Sequence, residues 1–579
     1  MSAIAGIFWR NESGKSTAER LYRRLSQDVR PSAPERYFTE SVRPNCLLLK
    51  CDYWGYDGSG LHSEDAGSLS AICGHPYVDR LVDQPRVRHL EFLVRAARVG
   101  ALQEFAEARG SFTFMRSEFC ATEQTGGLIL AGDSLGVRPL YYADDGNIVV
   151  FSSTLGAIGA LGEEITGLVD ERGSAETGVF GHSLGDRTSW RKIKCVPPGT
   201  AVVFAGGDTK FERYWSMSRV AAVQQGSEHD SLQEVFDRFS EAVALRVGKN
   251  RTAMATLSGG LDSRVVVAAL RSLGVQVHSV NFGPEGSQDL VYGREVAAAL
   301  GCDHTEIPMP SGGVFDRTSA ALRILQANVR AQGRSTEEPN LVWSGDGGSV
   351  LMGHVYLTEE MVAAAEDLEY ERAIDFLMRD QSWYVPRRIL RHAKASVVAE
   401  YPRVGLLETL RDEHSNDPGR RLHMMLMATD QRHHMHPHFE RIYEHRCEMQ
   451  LPFFDRKLVE AVVRRPVRPF LNHRFYNRWL TLFPRAVTSV PWQAYAGHEG
   501  CPLGEGSALT YQWTAQFNEA YRRLDRQKYL RSTWSALKAG RYRRTAISPV
   551  RLSVALLATA LGVRDLTYAL RFSQAMAEQ

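Results

Sequence analysis

At 579 residues the chain is too long for one ordinary hydrophobic core, and two or three domains are expected. A hydrophobic content of 44% and a formal net charge of +2 fit a soluble globular protein, exclude wholesale disorder and give no reason to expect nucleic acid. The eight cysteines form no CxxC pair, which argues for reduced thiols and against a disulfide framework or zinc site. The N-terminus has no basic region leading into a long apolar one, so no signal peptide is read. The apolar run from Ser553 to Val563 is too short to cross a bilayer.

Residues 1 to about 215 are β-rich. Short apolar runs alternate with Gly, Asp and Asn turns at Ala3–Trp9, Cys46–Lys50, Ser68–Cys73, Gly127–Ala131, Ile148–Ser152 and Thr200–Phe204. Helices are predicted near Thr17–Val29 and His89–Ala108, giving an α+β two-sheet sandwich. Residues 216–230, rich in Ser, Gln and Gly, form the predicted linker. From Ser231 the period turns helical, with Leu232, Val235, Phe236, Phe239, Ala242 and Val243 on one stripe. A short strand from Ala253, a polar turn and a helix from Val265 follow, then a strand Val275–Phe282 and a helix Asp289–Leu300. That alternation predicts a parallel, doubly wound sheet with its ligand at the C-terminal strand ends.

The turn Ser258-Gly-Gly-Leu-Asp-Ser263 aims backbone N–H groups and a helix N-terminus at one spot, which favours an anion. Gly259 and Gly260 permit close backbone approach, and Ser258 and Ser263 add hydroxyl donors. Asp262 beside an anion cradle makes most sense as a Mg²⁺ ligand; the alternative is a plain helix cap by Asp262 or Ser263. His433-His-Met-His-Pro-His438 fits no common zinc spacing and reads as a basic helical face or peptide-contact surface. The tail from Thr510 to Gln579 is helical and basic around Arg541-Tyr-Arg-Arg544, a packing extension rather than a partner site.

Ser258-Gly-Gly-Leu-Asp-Ser263 resembles the SGGxDS pyrophosphate loop of the asparagine synthetase superfamily. Ala5-Gly-Ile-Phe8, Gly110-Ser-Phe-Thr-Phe114, Gly132-Asp-Ser-Leu-Gly-Val-Arg-Pro-Leu-Tyr-Tyr142 and Phe151-Ser-Ser-Thr154 resemble phrases of its glutaminase domain. The resemblance implies an Ntn-hydrolase-like sandwich over 1–215, and over 231–579 an α/β PP-loop ATP pyrophosphatase domain of the adenine nucleotide alpha-hydrolase type. Such a glutaminase needs Cys as its first mature residue, since the thiol attacks and the freed amine acts as base. Here position 2 is Ser, Cys73 replaces the oxyanion Asn, and the RGPD phrase is missing, so the domain is expected to be inactive.

In the second half the resemblance places Leu257 and Val280 against adenine, and Ser344 and Gly345 against AMP. Asp346 takes the place of the loop's Glu, while Ser349-Val350 replaces a DE pair, leaving Asp262 and Asp346 as the implied metal ligands. Glu448, in a phrase resembling the family's "lEvRvPFLD", is a possible active-site acid. No Lys occurs between Lys457 and Lys528, where relatives use one to steady pyrophosphate. Its charge is expected from Arg474, Arg478, Arg485 or His498.

The form Pro491-Trp-Gln-Ala-Tyr-Ala-Gly-His-Glu-Gly-Cys501 resembles lasso-peptide cyclases. That resemblance implies an ATP- and Mg²⁺-dependent macrolactam synthetase of the bacterial cytoplasm. Its implied partners are a precursor peptide, a leader-binding protein and a leader peptidase, with no nucleic acid and no membrane span. A β-lactam synthetase, an asparagine synthetase and a non-catalytic nucleotide-binding scaffold are the rivals.

Overall fold

The computed structural model describes residues 2–29, 37–120, 125–223, 226–308, 314–332, 341–495, 497–504, 509 and 515–577. Two six-stranded antiparallel sheets build the first domain. In one sheet Ala3–Trp9 runs between Cys46–Cys51 and Ile148–Ser152, with Ile7 opposite Leu47 and Val150. The strand is buried on both faces. Ile4 and Phe8 point at the second sheet, packing with Leu48, Met115, Leu130 and Val202. Ala5, Ile7 and Trp9 point the other way, under the helix Glu12–Val29. The alternation of two is thus read out twice, once by each neighbouring layer.

The expected sandwich is present, with additions at its edges. Phe38–Arg43 and Asp208–Arg213 are largely exposed edge strands whose polar residues hide them from an apolar-run search. The second predicted helix is shorter than expected. It spans Arg86–Arg98, stops before Gly100 (φ +72°), and passes into a 3₁₀ turn at Leu102–Glu107.

The second domain is organised on five parallel strands. Their spatial order is Asp303–Pro308, Gln276–Gly283, Thr252–Thr256, Leu341–Trp343, Glu448–Gln450. Chain order runs outward from Thr252–Thr256 in one direction and then returns to continue in the other. The sheet therefore switches direction between Thr252–Thr256 and Leu341–Trp343, and a crevice opens beyond their C-terminal ends. The turns 257–263 and 344–348 flank that crevice.

The two domains share buried contacts. The Arg109 guanidinium donates to both oxygens of Asp455, and Arg246 donates to the same carboxylate at 2.8 Å. Burial alone would raise Asp455, but Arg246 and Arg109 hold it below the usual carboxylate range. Tyr77 Oη accepts from Gln450 at 2.6 Å, and Trp215 donates to Glu460 at 2.9 Å. Glu448 joins this seam too. It is fully buried and takes bonds from Ser2 N and Arg138, so it braces the domains and is not an acid at the crevice.

The tail comprises helices Ala515–Lys538, Pro549–Ala560 and Thr567–Ala575. Phe572, Leu570 and Leu552 pack with Ala175 and Val179 of the first domain and Val398 of the second. The expected packing extension is observed over this range; residues 510–514 and part of the predicted linker, 224–225, lie outside the described residues. The histidine run departs from its expectation. His433, His436 and His438 are buried, and burial pushes all three below the usual imidazole range, so they present no basic face. Among the described residues, no helix is long and apolar enough to cross a membrane.

Candidate functional site

The turn after Thr252–Thr256 is held open by its own hydroxyls. Ser258 N donates to Ser263 Oγ at 3.0 Å, and Gly260 N donates to Ser258 Oγ at 3.3 Å. Gly260 is the N-cap of the helix Leu261–Ser272 and offers no side chain to cap it. Neither Asp262 nor Ser263 caps the helix, so its first-turn amides are left for another acceptor. Two glycines of the facing turn set the spacing. A Cβ on Gly345 would lie 2.4 Å from Ser263 N, and one on Gly348 would lie 2.6 Å from Asp262 Oδ1.

A cavity of about 140 Å³ lies at this point. Ser258, Gly260, Asp262 and Ser349 form one wall. His473, Asn477, Trp492, Gln493 and Tyr495 form the other. Among the described residues, Asn477 Oδ1 and Nδ2, Gln493 Nε2 and His473 Nε2 are buried polar atoms with no hydrogen-bond partner. Such atoms are costly unless something else satisfies them, so their clustering on one wall marks a ligand site.

Arg264 fixes the wall in place. Its buried guanidinium donates to the carbonyls of Gly259 and Gly260 on the turn and of Val487, Val490 and Pro491 opposite. Burial pushes it down to about 10, still charged at neutral pH. Sequence reasoning passed over this residue; its signal was an Arg in an otherwise apolar helix, Val265–Leu270, directly after the turn.

Asp262 accepts from Tyr476 Oη at 2.7 Å and from Ser349 N and Oγ at 2.9 and 2.8 Å. Burial pushes it up to about 6 despite these donors. Asp346 accepts from Ser344 Oγ and faces His434 Nε2 at 3.7 Å. Burial would raise Asp346, but the His434 contact more than offsets it, and in return raises His434. The oxygens of both expected metal ligands are thus engaged by protein groups. Among the described residues, no three His, Cys, Asp or Glu side chains gather to hold a cation. A Mg²⁺ here would take most of its ligands from phosphate and water, with Asp262 and Asp346 the carboxylates at hand.

The remaining predicted residues divide. Ser344 and Gly345 lie on the facing turn but do not line the cavity. Leu257 and Val280 are neighbours, joined by Leu257 N to Val280 O at 2.9 Å, but both are core residues that do not line the cavity. Arg474 and Arg478 point away. Arg474 pairs with Glu359 at 2.6 Å and Arg478 with Glu228, and both line a separate cavity of about 440 Å³. Arg485 borders a third hollow. The reason is helical phase. Arg474 and Arg478 are four apart on the helix Arg474–Trp479 and share one face, whereas Asn477 falls on the face towards the turn and His473 reaches the cavity from the N-cap, in the left-handed region (φ +62°). His498 meets His473, Nδ1 to Nδ1, at 2.7 Å, and burial lowers both rings, so neither carries the expected charge at neutral pH.

Residues 234–480 match the asparagine synthase family model, and residues 90–215 match that of the glutamine amidotransferase domain. Over these stretches the chain is similar to both families, neither model spanning half of it. Asparagine synthetase [glutamine-hydrolyzing] 3 of Bacillus subtilis is 31% identical over 142 residues, covering 24% of this chain and 23% of its own length. The root asparagine synthetase of Pisum sativum is 28% identical over 190 residues, 31% of this chain and 27% of its own. The matched stretches thus span about a quarter of these relatives. Among solved structures, a glutamine phosphoribosylpyrophosphate amidotransferase from B. subtilis aligns at a TM-score of 0.25 and 11% identity, over 48% of this chain and 65% of its own.

The amidotransferase domain has a contrasting interior. Ser2 is buried, its Oγ accepting from Gly74 N at 3.3 Å and Arg138 at 3.1 Å. Beside it Asp52 accepts from Lys50 at 2.7 Å and Arg86 at 3.0 Å, and all three are buried. Arg86 also donates to Gly74 O at 2.8 Å. Burial would raise Asp52, but Lys50 and Arg86 bring it down to about 2. The two cations share the one carboxylate, and Arg86 spends further donors on the Gly74 carbonyl.

Proposed function

We propose that this chain is an ATP-dependent carbon–nitrogen ligase, and specifically a lasso-peptide macrolactam synthetase. It would adenylate an Asp or Glu side-chain carboxylate of a leader-cleaved precursor peptide. The peptide's own N-terminal amine would then attack that carbonyl carbon, lose a proton and expel AMP. The amide bond forms as the carbon–oxygen bond to AMP breaks.

The state of the amidotransferase domain carries this reading. A Ser locked by Arg138, next to a self-paired ion trio, supports an enzyme that makes no ammonia of its own. Nitrogen then has to come with the substrate, and a folded peptide offers its amine at high effective concentration. The turn 258–263 suits a polyphosphate: uncapped amides, paired hydroxyls, and no room for a Cβ at Gly345. The amide of Gln493, in the stretch where relatives are expected to carry a lysine, lines the cavity together with that of Asn477. Neutral donors would hold the phosphates through hydrogen bonds and helix dipole instead of a point charge.

The test is pyrophosphate release with ATP and a synthetic leader-free peptide, read alongside the peptide's mass. Release together with loss of one water from the peptide is the expected result. AMP formation with free aspartate and ammonia, and none with peptides, would overturn the macrolactam reading in favour of an asparagine synthetase. Release with a carboxyethylated amino acid instead would point to a β-lactam synthetase.

A further inference from the structure

The C-terminal tail carries a feature that catalysis does not use. Between Asp525 and Asp565 the sequence contains no Asp or Glu, while Lys and Arg recur throughout. The whole chain is near neutral at +2, so this positive stretch is local. Among the described residues, Arg526 pairs with Asp565 at 3.0 Å, but Lys528, Arg531, Lys538, Arg541, Arg543 and Arg551 form no ion pair. All six are exposed.

The same stretch exposes apolar side chains in a regular row. On the helix Pro549–Ala560 and its end, Val550, Val554, Leu557 and Leu561 are 74%, 63%, 55% and 76% exposed. They are spaced by four, three and four, so they form one helical face. The opposite face, with Leu552, Ala555 and Leu556, is buried against the tail's own core. Val563 continues the exposed row beyond the helix, past Gly562. On the helix Ala515–Lys538, Lys528, Arg531, Trp534 and Lys538 share an exposed face, and Lys538 Nζ sits 5.4 Å from the Trp534 ring centre.

From these observations we propose that the tail docks the enzyme onto an anionic membrane surface. The exposed row would enter the headgroup boundary, Trp534 would sit at the interface, and the surrounding cations would meet acidic lipids. Charge complementarity singles out this occupant. The cations are spread along two helices and their connection, which suits a fluid array of headgroups. The apolar row stands on one exposed helix face and the turn after it, a surface suited to shallow insertion into a layer. No described helix is apolar enough to span, so the contact is peripheral.

The experiment is vesicle co-sedimentation of the full-length chain. Vesicles of phosphatidylcholine mixed with phosphatidylglycerol should bind it at least ~10-fold more tightly than phosphatidylcholine alone. Salt raised to about 1 M, where the screening length shrinks to about 3 Å, should remove the preference. Val554→Asp with Leu557→Asp should weaken binding about 10-fold, and Arg541→Glu with Arg543→Glu should abolish the preference for anionic lipid. All four positions are exposed, so thermal unfolding and pyrophosphate release should match the parent. Equal recovery with both vesicle types, or indifference to both double variants, would overturn the proposal. So would a concentration-dependent dimer dispersed by Val554→Asp, which would assign the face to a second copy. Binding to polyglutamate without binding to vesicles would assign it to an acidic protein and likewise overturn it.

Discussion

The two interiors of this molecule handle buried polarity in opposite ways. In the first domain Lys50, Asp52 and Arg86 are buried together and satisfy one another. At the crevice of the second, half-buried Asn477 and Gln493 and buried His473 hold inaccessible polar atoms that no described residue satisfies. A closed network stabilises and specifies a fold; an open one costs stability and waits for a ligand. The difference is one of satisfaction: the first cluster has its partners within the protein, and the second has atoms free for a ligand.

The largest expected effect is on the closed network. Asp52→Ala would strand two buried cations and should cost ~3–5 kcal/mol in urea unfolding. Pyrophosphate release by the protein that remains folded should be unchanged. Loss of that activity in parallel would mean the two interiors are coupled. The open network should behave the other way round. Asn477→Ala removes a side chain with no partner, so stability should change by less than ~1 kcal/mol while pyrophosphate release falls ~10–100-fold. A variant as active as the parent would remove Asn477 from the site.

Acidity sharpens the contrast, because the two interiors respond with opposite sign. Asp52 is lowered to about 2, so its stabilisation is present above the unfolded value near about 4 and is lost as pH falls towards 2. Asp262 and Asp289 are raised to about 6 by burial. Their contribution is fully present below about 4 and is lost as pH rises through about 6. Asp262→Asn should therefore flatten the stability profile between those two values, and Asp52→Asn only the limb below about 4. Identical profiles for both variants would contradict the assignment. The smallest effect is expected of Arg478→Ala. Its exposed pair with Glu228 should be worth under ~1 kcal/mol, and catalysis should not register its loss.

Much of this was legible in the residues. The strand–turn–helix at 253–272 needs only an apolar run, two glycines and a helical stripe, all local signals. The parallel sheet follows from alternation of strand and helix. What failed was direction. Arg474 and Arg478 were expected at the crevice because their charge suits the chemistry, but side-chain direction on a helix is set by phase, and it is Asn477 that holds the right phase, with His473 brought in by a left-handed N-cap. The histidine run failed for a related reason. A string of imidazoles looks solvated until the first domain covers it, and His433 stacks on His182 from that domain with ring centres 4.4 Å apart. Long-range burial of this kind leaves no local trace. The engagement of Asp262 by Tyr476, 214 positions away, is equally invisible in the chain.

Asp455 has a consequence for how the chain can be divided. It answers to two guanidiniums, and one of them, Arg109, belongs to the other half of the molecule. A fragment begun at the linker would keep Arg246 but forfeit Arg109, and would bare apolar side chains that now lie in a core common to both halves. The first half thus acts as an in-built scaffold for the second, supplying a counter-ion and a share of its core.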